Sequence, residues 1–417
     1  MSAGLNSTGS QGRPGGRMTV LLVGAGLLVS SLLAACGEGT RADESETSAR
    51  DRIDSLGSQP DAPLVPVAAV TVSERFRLGR SAHAQAGLHE LLDLEIDDAG
   101  ALYVLDRVDP RRMQIVKLDS SGQHAEPFGK YDNRRDRVQF TTGFEVAPWN
   151  VVLLVDRALN TLTSYLTIGT FISSIYLNGF GMNVHPLPES GHFYLHKWDP
   201  ERRRSYVVFL RSPLDSLGVA YGVDIPPGQS VRQEARDVGF LTAVDGQGRL
   251  YVAFSDGYPV RVVTREGETV RLIGVDRRPV HKSSSELEAE RARLEGGLRR
   301  EFLDAPDSLL EEALEPDSLY PMIEELAIDP FGRLWVRTHR REITGATPYD
   351  VFNERGQFLA RVSIPGEVVH TAFRADGRMF VIDAAATEAM IVGYDIALSE
   401  SGTSAAIADR GDAAAGP

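Results

Sequence analysis

The stretch Ile96-Asp97-Asp98-Ala99-Gly100-Ala101-Leu102-Tyr103-Val104 decides the fold. It reads as a strand end, a polar turn closed by glycine, and a second strand opening on an apolar-aromatic-valine triplet. Gly100 supplies the positive φ that a tight hairpin turn needs, and Leu-Tyr-Val suits a pleated surface. The phrase returns at Val244-Asp245-Gly246-Gln247-Gly248-Arg249-Leu250-Tyr251-Val252, at Ile328-Asp329-Pro330-Phe331-Gly332-Arg333-Leu334-Trp335-Val336, and at Phe373-Arg374-Ala375-Asp376-Gly377-Arg378-Met379-Phe380-Val381. Two weaker copies turn at Asn150 and Gly191. One hairpin cannot bury its apolar face alone, so the copies must pack on each other.

The turns at 100, 150, 191, 248, 332 and 377 define six units. Second hairpin signals follow at Ser121-Gly122, Ile168-Gly169, Glu266-Gly267 and Arg355-Gly356. Each unit is then four strands in about 40–50 residues, the signature of a β-propeller blade. The expected fold is all-β, a six-bladed β-propeller spanning 64–397. Its N-terminal strand, within 64–80, is expected to complete the last blade and close the ring. The interval from Gly248 to Gly332 is long, and residues 283–318 account for it. There the Leu, Ala and Phe spacing, with serine caps at 283–285, predicts one or two amphipathic helices between the fourth and fifth blades.

Outside the propeller, residues 1–35 carry Arg13 and Arg17, then an apolar run, then Leu33-Ala34-Ala35-Cys36. That order is a signal peptide. Its end resembles the lipobox of bacterial lipoproteins, which makes Cys36, the only cysteine, the expected lipid attachment residue. Residues 36–63 read as a flexible tether and 398–417 as a disordered tail. The expected location is the cell envelope, anchored to a bilayer through acylated Cys36.

The formal net charge is −14, and no basic stripe occurs. Nucleic acid is therefore not an expected partner, because phosphate contacts need Lys and Arg. An envelope protein or a small ligand is.

The repeated Asp-x-x-Gly-x-Leu-Tyr-Val core, with Asp106, Asp156 and Asp383 after the aromatic-valine strand, resembles the NHL-repeat and TolB-like six-bladed propellers in their lipoprotein form. The resemblance covers about 90–395. It implies the fold; propellers of this kind host binding scaffolds, lactonases, lyases and dehydrogenases alike. The repetition of the three Asp residues favours a scaffold role, since a site breaks symmetry.

No nucleophile elbow and no phosphate loop occur. Asp97-Asp98 and Glu311-Glu312 read as solvated pairs. His192 and His196 lie an even distance apart and would share a strand face, where imidazoles can bind a ligand or metal; polar or stacking roles are the commoner fate. Arg337 and His339 could face the channel with Trp335 and take an anionic ligand. No catalytic residue, no metal ligand and no cofactor are assigned, with calcium the one ion entertained. The expected function is a non-catalytic binding scaffold. The alternative is a cation-dependent, lactonase-like hydrolase at the channel mouth, and three or four acidic or Asn side chains converging on the axis would favour it.

Overall fold

The computed structural model describes residues 68–400, except the interior segments 80–86, 129–139, 225–239, 302–315, 340–344 and 386–389 and a few shorter breaks. The chain divides into two compact units, Met1–Ser55 and Leu56–Pro417. The first unit, and with it Cys36, the signal segment and most of the tether, lies outside the described residues, as does the tail beyond Glu400.

Among the described residues, twenty-four strands form six four-stranded sheets. β1 (Ala68–Leu78) comes first. Blade 1 is β2 (Glu90–Ile96), β3 (Leu102–Asp109), β4 (Arg112–Leu118) and β5 (Ala125–Phe128). Blade 2 is β6 (Thr141–Ala147), β7 (Val151–Asp156), β8 (Thr161–Leu166) and β9 (Phe171–Tyr176), and blade 3 is β10 (Phe180–Pro186), β11 (Phe193–Asp199), β12 (Arg204–Ser212) and β13 (Asp215–Asp224). Blade 4 is β14 (Phe240–Val244), β15 (Leu250–Phe254), β16 (Gly257–Val263) and β17 (Thr269–Ile273). Blade 5 is β18 (Ile323–Ile328), β19 (Leu334–Thr338), β20 (Ala346–Phe352) and β21 (Phe358–Pro365). The sixth sheet joins β22 (Val368–Phe373), β23 (Met379–Asp383) and β24 (Met390–Glu400) to β1, in the order β1-β24-β23-β22. β1 pairs antiparallel with β24 from Ala68↔Glu400 to Leu78↔Ile391. β24 therefore runs three residues past the boundary expected at 397.

The turn chemistry decides the hairpins. Gly100, Asn150, Gly191, Gly248, Gly332 and Gly377 all have positive φ, and so do Gly122, Gly169, Gly267 and Gly356 in the second hairpins. Asn150, at φ 62°, does what glycine does elsewhere.

The aspartate of the phrase locks the turn. Asp245 accepts hydrogen bonds from the Gln247 and Arg249 backbone N–H groups at 2.9 Å, from Arg249 Nε at 2.6 Å and from Tyr251 Oη at 3.2 Å. Asp329 repeats this with Arg333 and the Trp335 Nε1–H. Asp97 is not solvated as expected: its carboxylate holds the Ala101 N–H and the Tyr103 hydroxyl, while Asp98 is exposed. Asp245→Asn is expected to cost roughly 1–2 kcal/mol, because Tyr251 is buried and the Arg249 ion pair loses its charge. A urea titration with unchanged slope is the check.

Among the described residues the core is seven clusters: six lie one at each seam between neighbouring blades, and the seventh is the small group of Met182, Trp198 and Phe180 within blade 3. One of them packs Leu78, Phe380 and Ile391 of the sixth sheet on Leu94, Leu102 and Val104 of the first.

α1 (Ser284–Glu301) lies in the chain between β17 and β18. Ser283 and Glu286 form a reciprocal cap: the Ser283 N–H donates to the Glu286 carboxylate at 2.7 Å and the Glu286 N–H to Ser283 Oγ at 3.4 Å. Along its described first turns α1 is mostly exposed, with Leu287 and Leu294 half-buried. No helix among the described residues is long and apolar enough to cross a membrane.

Candidate functional site: the propeller axis

In every blade the first strand pairs only with the second, so the first strands β2, β6, β10, β14, β18 and β22 form the innermost ring. In five of them the pairing register shifts at the same place. The breaks are Leu91/Asp93, Thr141/Gly143, Gly181/Asn183, Ile323/Glu325 and Val368/His370; β14 has none. A bulge bends a strand and re-aims the next side chain. The residues delivered by these bulges are Asp93, Gly143, Asn183, Glu325 and His370. Glu95 and Glu145 follow two residues after the first two.

These side chains meet across blades. His370 Nε2 lies 2.7 Å from Asp93 Oδ1 and 3.1 Å from the Leu94 carbonyl, and His370 Nδ1 lies 3.3 Å from Glu325 Oε1. Glu325 also accepts the Thr371 N–H at 2.9 Å and its hydroxyl at 2.8 Å. On the other side His185 Nδ1 lies 2.9 Å from Glu145 Oε1, and its Nε2 lies 2.7 Å from the Thr242 hydroxyl. Two polar chains thus run through three inner strands each, one through β18, β22 and β2 and the other through β6, β10 and β14. At Gly143 a Cβ would collide with Asn183 Oδ1, so glycine is what lets Asn183 come in.

The electrostatics are those of a carboxylate excess. Burial pushes the Glu95 carboxyl well up, and the nearby charges of Glu145, Asp93 and Glu325 push it further, relieved in part by the Ile96 N–H. Burial alone would lower the His370 imidazole, yet Asp93 and Glu325 raise it to about 9 against the opposing Arg337. His370 is therefore an imidazolium at neutral pH. Asp93, Glu95 and His370 each bring one donor atom, all within 4.8 Å of one another, a span that could hold a metal ion.

Of the candidates named from sequence, Arg337 reaches the axial cluster at Glu325, while His339, His192 and His196 are held by other partners. Arg337, on β19, is 8% exposed; it donates to the Val368 carbonyl and lies 3.6 and 3.7 Å from Glu324 and Glu325. His339 stacks on Tyr320 with ring centroids 3.6 Å apart and lies 3.4 Å from Glu324. Both face carboxylates of β18, and Trp335 is buried between blades 5 and 6. His192 precedes β11 in the turn and stacks on Phe209, whereas His196 packs on Phe240 and bonds Ser205 Oγ at 2.6 Å. Burial, with His185 nearby, holds the His196 imidazole down at about 3. The two histidines face different aromatic partners and make no pair. Asp106, Asp156 and Asp383 cap loops of their own blades by accepting backbone N–H groups.

The axial residues were missed, although the sequence carries their signal. Asp93, Glu325 and His370 each stand seven residues before a turn glycine, and Glu95 and Glu145 stand five before Gly100 and Asn150.

No family model matches the chain, and no curated protein does. Among solved structures it is similar to a member of the DUF4221 family from Bacteroides vulgatus, at 10% identity over 79% of this chain and 99% of that one, TM-score 0.47. A putative exported protein from Bacteroides fragilis shows 10% identity over 79% and 95%, TM-score 0.47. A gluconolactonase from Xanthomonas campestris shows 15% identity over 80% and 98%, TM-score 0.42. Nothing about the chemistry of the axis follows from these likenesses.

Proposed function

We propose that the protein is a cation-binding propeller of the NHL-like, lipoprotein type, anchored in the cell envelope through Cys36, and that its site is the acid-rich axis. The single observation that carries the cation is the convergence of Asp93, Glu95 and His370 within 4.8 Å, faced by two further carboxylates, Glu145 and Glu325. A divalent ion would remove the repulsion that now falls on Glu95. One imidazole and two carboxylates suit manganese or zinc better than calcium, which prefers an all-oxygen shell. The lipobox at Cys36 supports the anchor. The clasp of β1 on β24 would hold the ring shut around the site. An envelope protein or a small ligand would then be recognised at the loaded axis.

A melt of the whole chain with calcium, magnesium, manganese or zinc, and with EDTA, tests this reading. Manganese or zinc is expected to raise the midpoint by several degrees. The affinity is expected to climb as pH rises towards about 9, since the ion must displace the His370 proton. Absence of a shift with every ion would defeat the proposal.

One observation favours hydrolysis as a second reading. Glu145 lies beside the three prospective ligands without being one of them, and would exchange a proton with ion-bound water. Ion-dependent ester or lactone turnover that Glu145→Gln abolishes while ion binding persists would establish it.

A further inference from the structure

The outermost strands of the six sheets are β5, β9, β13, β17, β21 and β1. A free edge presents a row of unpaired N–H and C=O groups, and natural sheets blunt such edges with charge or proline. Five of these edges are blunted in that way: Glu126 in β5, Asp224 in β13, Arg271 in β17, Arg361 in β21 and Arg75 in β1. β9, Phe171-Ile172-Ser173-Ser174-Ile175-Tyr176, carries neither. The gap is wider than the strand. No Asp, Glu, Lys or Arg occurs between Arg157 and Glu189, in a chain of net charge −14.

The same region is apolar where it meets water. Of the ten large hydrophobic side chains exposed among the described residues, five are Leu166, Ile168, Phe171, Ile172 and Tyr176. Ile168, in the β8–β9 turn, is 78% exposed and Tyr176 is 76% exposed. The register shift that leaves Ile172 unpaired brings Phe171 onto the same face as Ile172, Ser174 and Tyr176. β13, β17, β21 and β1 also contain register shifts, so the bulge does not set β9 apart; the missing charge does.

We propose that β9 is a homodimer edge: two copies of the chain pair their β9 strands antiparallel about a two-fold axis at Ser174, making one eight-stranded sheet from two blades. The pleat selects this register. Residues opposite each other in an antiparallel pair point to the same face, so a two-fold axis must set one residue opposite its own copy. With Ser174 at the axis, Ile172 stands opposite Tyr176 of the second copy, twice, and the two serines meet between them. With Ser173 at the axis, Ile172 would face Ser174, apolar against polar. Aromatic against β-branched is a favoured cross-strand pair. Charge selects the partner: two strongly acidic bodies repel, and β9 is the edge at which neither brings a charge. A lipid surface would cover the apolar face but would leave the row of backbone donors and acceptors unpaired.

Disulfide trapping in the full chain tests the register, in mild detergent and with Cys36→Ser so that the introduced thiols are the only ones. At the axis, Cα atoms of opposed residues lie about 4.5–5.5 Å apart, within disulfide reach. Ser174→Cys is expected to oxidise to a covalent dimer. Ile172→Cys alone is not, because its copy lies about 13 Å along the strands, whereas the double variant Ile172→Cys, Tyr176→Cys is expected to cross-link. Without an introduced thiol the particle mass is expected to be twice that of one chain, and to halve in Ile172→Lys, Tyr176→Lys with a cooperative melt retained at a lower midpoint. A monomer at micromolar concentration would overturn the proposal, as would a dimer that survives the lysine variant. Trapping at Ser174 no greater than at the exposed control Phe331→Cys would overturn it too. So would a monomer that floats with phosphatidylcholine vesicles through this patch, which would assign the surface to lipid.

Discussion

Replacing Glu325 by alanine is expected to cost the fold about 3–5 kcal/mol, the range for removing one partner of a buried ionic network. Glu325 is 13% exposed at its side chain and serves two blades. It accepts both the N–H and the hydroxyl of Thr371, faces His370 Nδ1 at 3.3 Å and lies 3.7 Å from Arg337 Nε. Its loss leaves an imidazolium and a guanidinium buried with less compensation. The cost has a definite pH signature. The His370 imidazole is held at about 9 in the folded protein, above its unfolded value of about 6.5. Its contribution is therefore fully present below about pH 6.5 and is lost as pH rises through about 9. Urea midpoints of the parent and Glu325→Ala are expected to lie well apart near pH 6 and to approach each other near about pH 10. Equal separation at both ends would show that Glu325 acts through Thr371 and Arg337 and not through His370. Glu325→Gln, which retains a hydrogen-bond acceptor for Thr371, is expected to recover part of the loss.

The second large effect is on ion binding. At about one hundred times its dissociation constant, an ion bound only by the folded state adds about 2.7 kcal/mol. Glu95→Gln is expected to remove most of that gain, since it replaces an anionic donor with a weaker, neutral amide oxygen. In EDTA the same substitution is expected to raise the midpoint, because burial and three neighbouring carboxylates already disfavour the Glu95 charge. The two opposite signs are the diagnostic. A merely structural glutamate would lose stability in both conditions, and melts with and without manganese or zinc separate the cases. Asp93→Asn would lower the ion gain too, but it would also weaken the fold in EDTA, because His370 depends on Asp93 for its charge.

The likenesses to solved propellers do not bear on either experiment. What does is the repeated bulge in the inner strands. It puts residues seven before the turn into the ring of inner strands whatever their chemistry, and this chain has filled three of those places with Asp93, Glu325 and His370.

The sequence by itself determined the blades. A glycine or asparagine at a fixed place after an apolar strand has one inexpensive backbone conformation, so Gly100, Asn150, Gly191, Gly248, Gly332 and Gly377 were readable as turns, and all six adopt positive φ. The reading of Ser283 and its neighbours as a helix start rested on equally local physics. The site was not local. His192 and His196 were conspicuous because they are close in sequence, but turn and strand send them to Phe209 and Phe240. Arg337 and His339 were conspicuous by strand alternation, yet β19 is a second strand, and their partners are the acids of β18 and the Val368 carbonyl. Asp93 and His370 are 277 residues apart and meet at 2.7 Å because blade 6 stands beside blade 1 in a ring. Turns follow from the torsional preferences of a few adjacent residues; which charges face one another across an axis follows from ring geometry and strand bulges, and only the packed blades decide it.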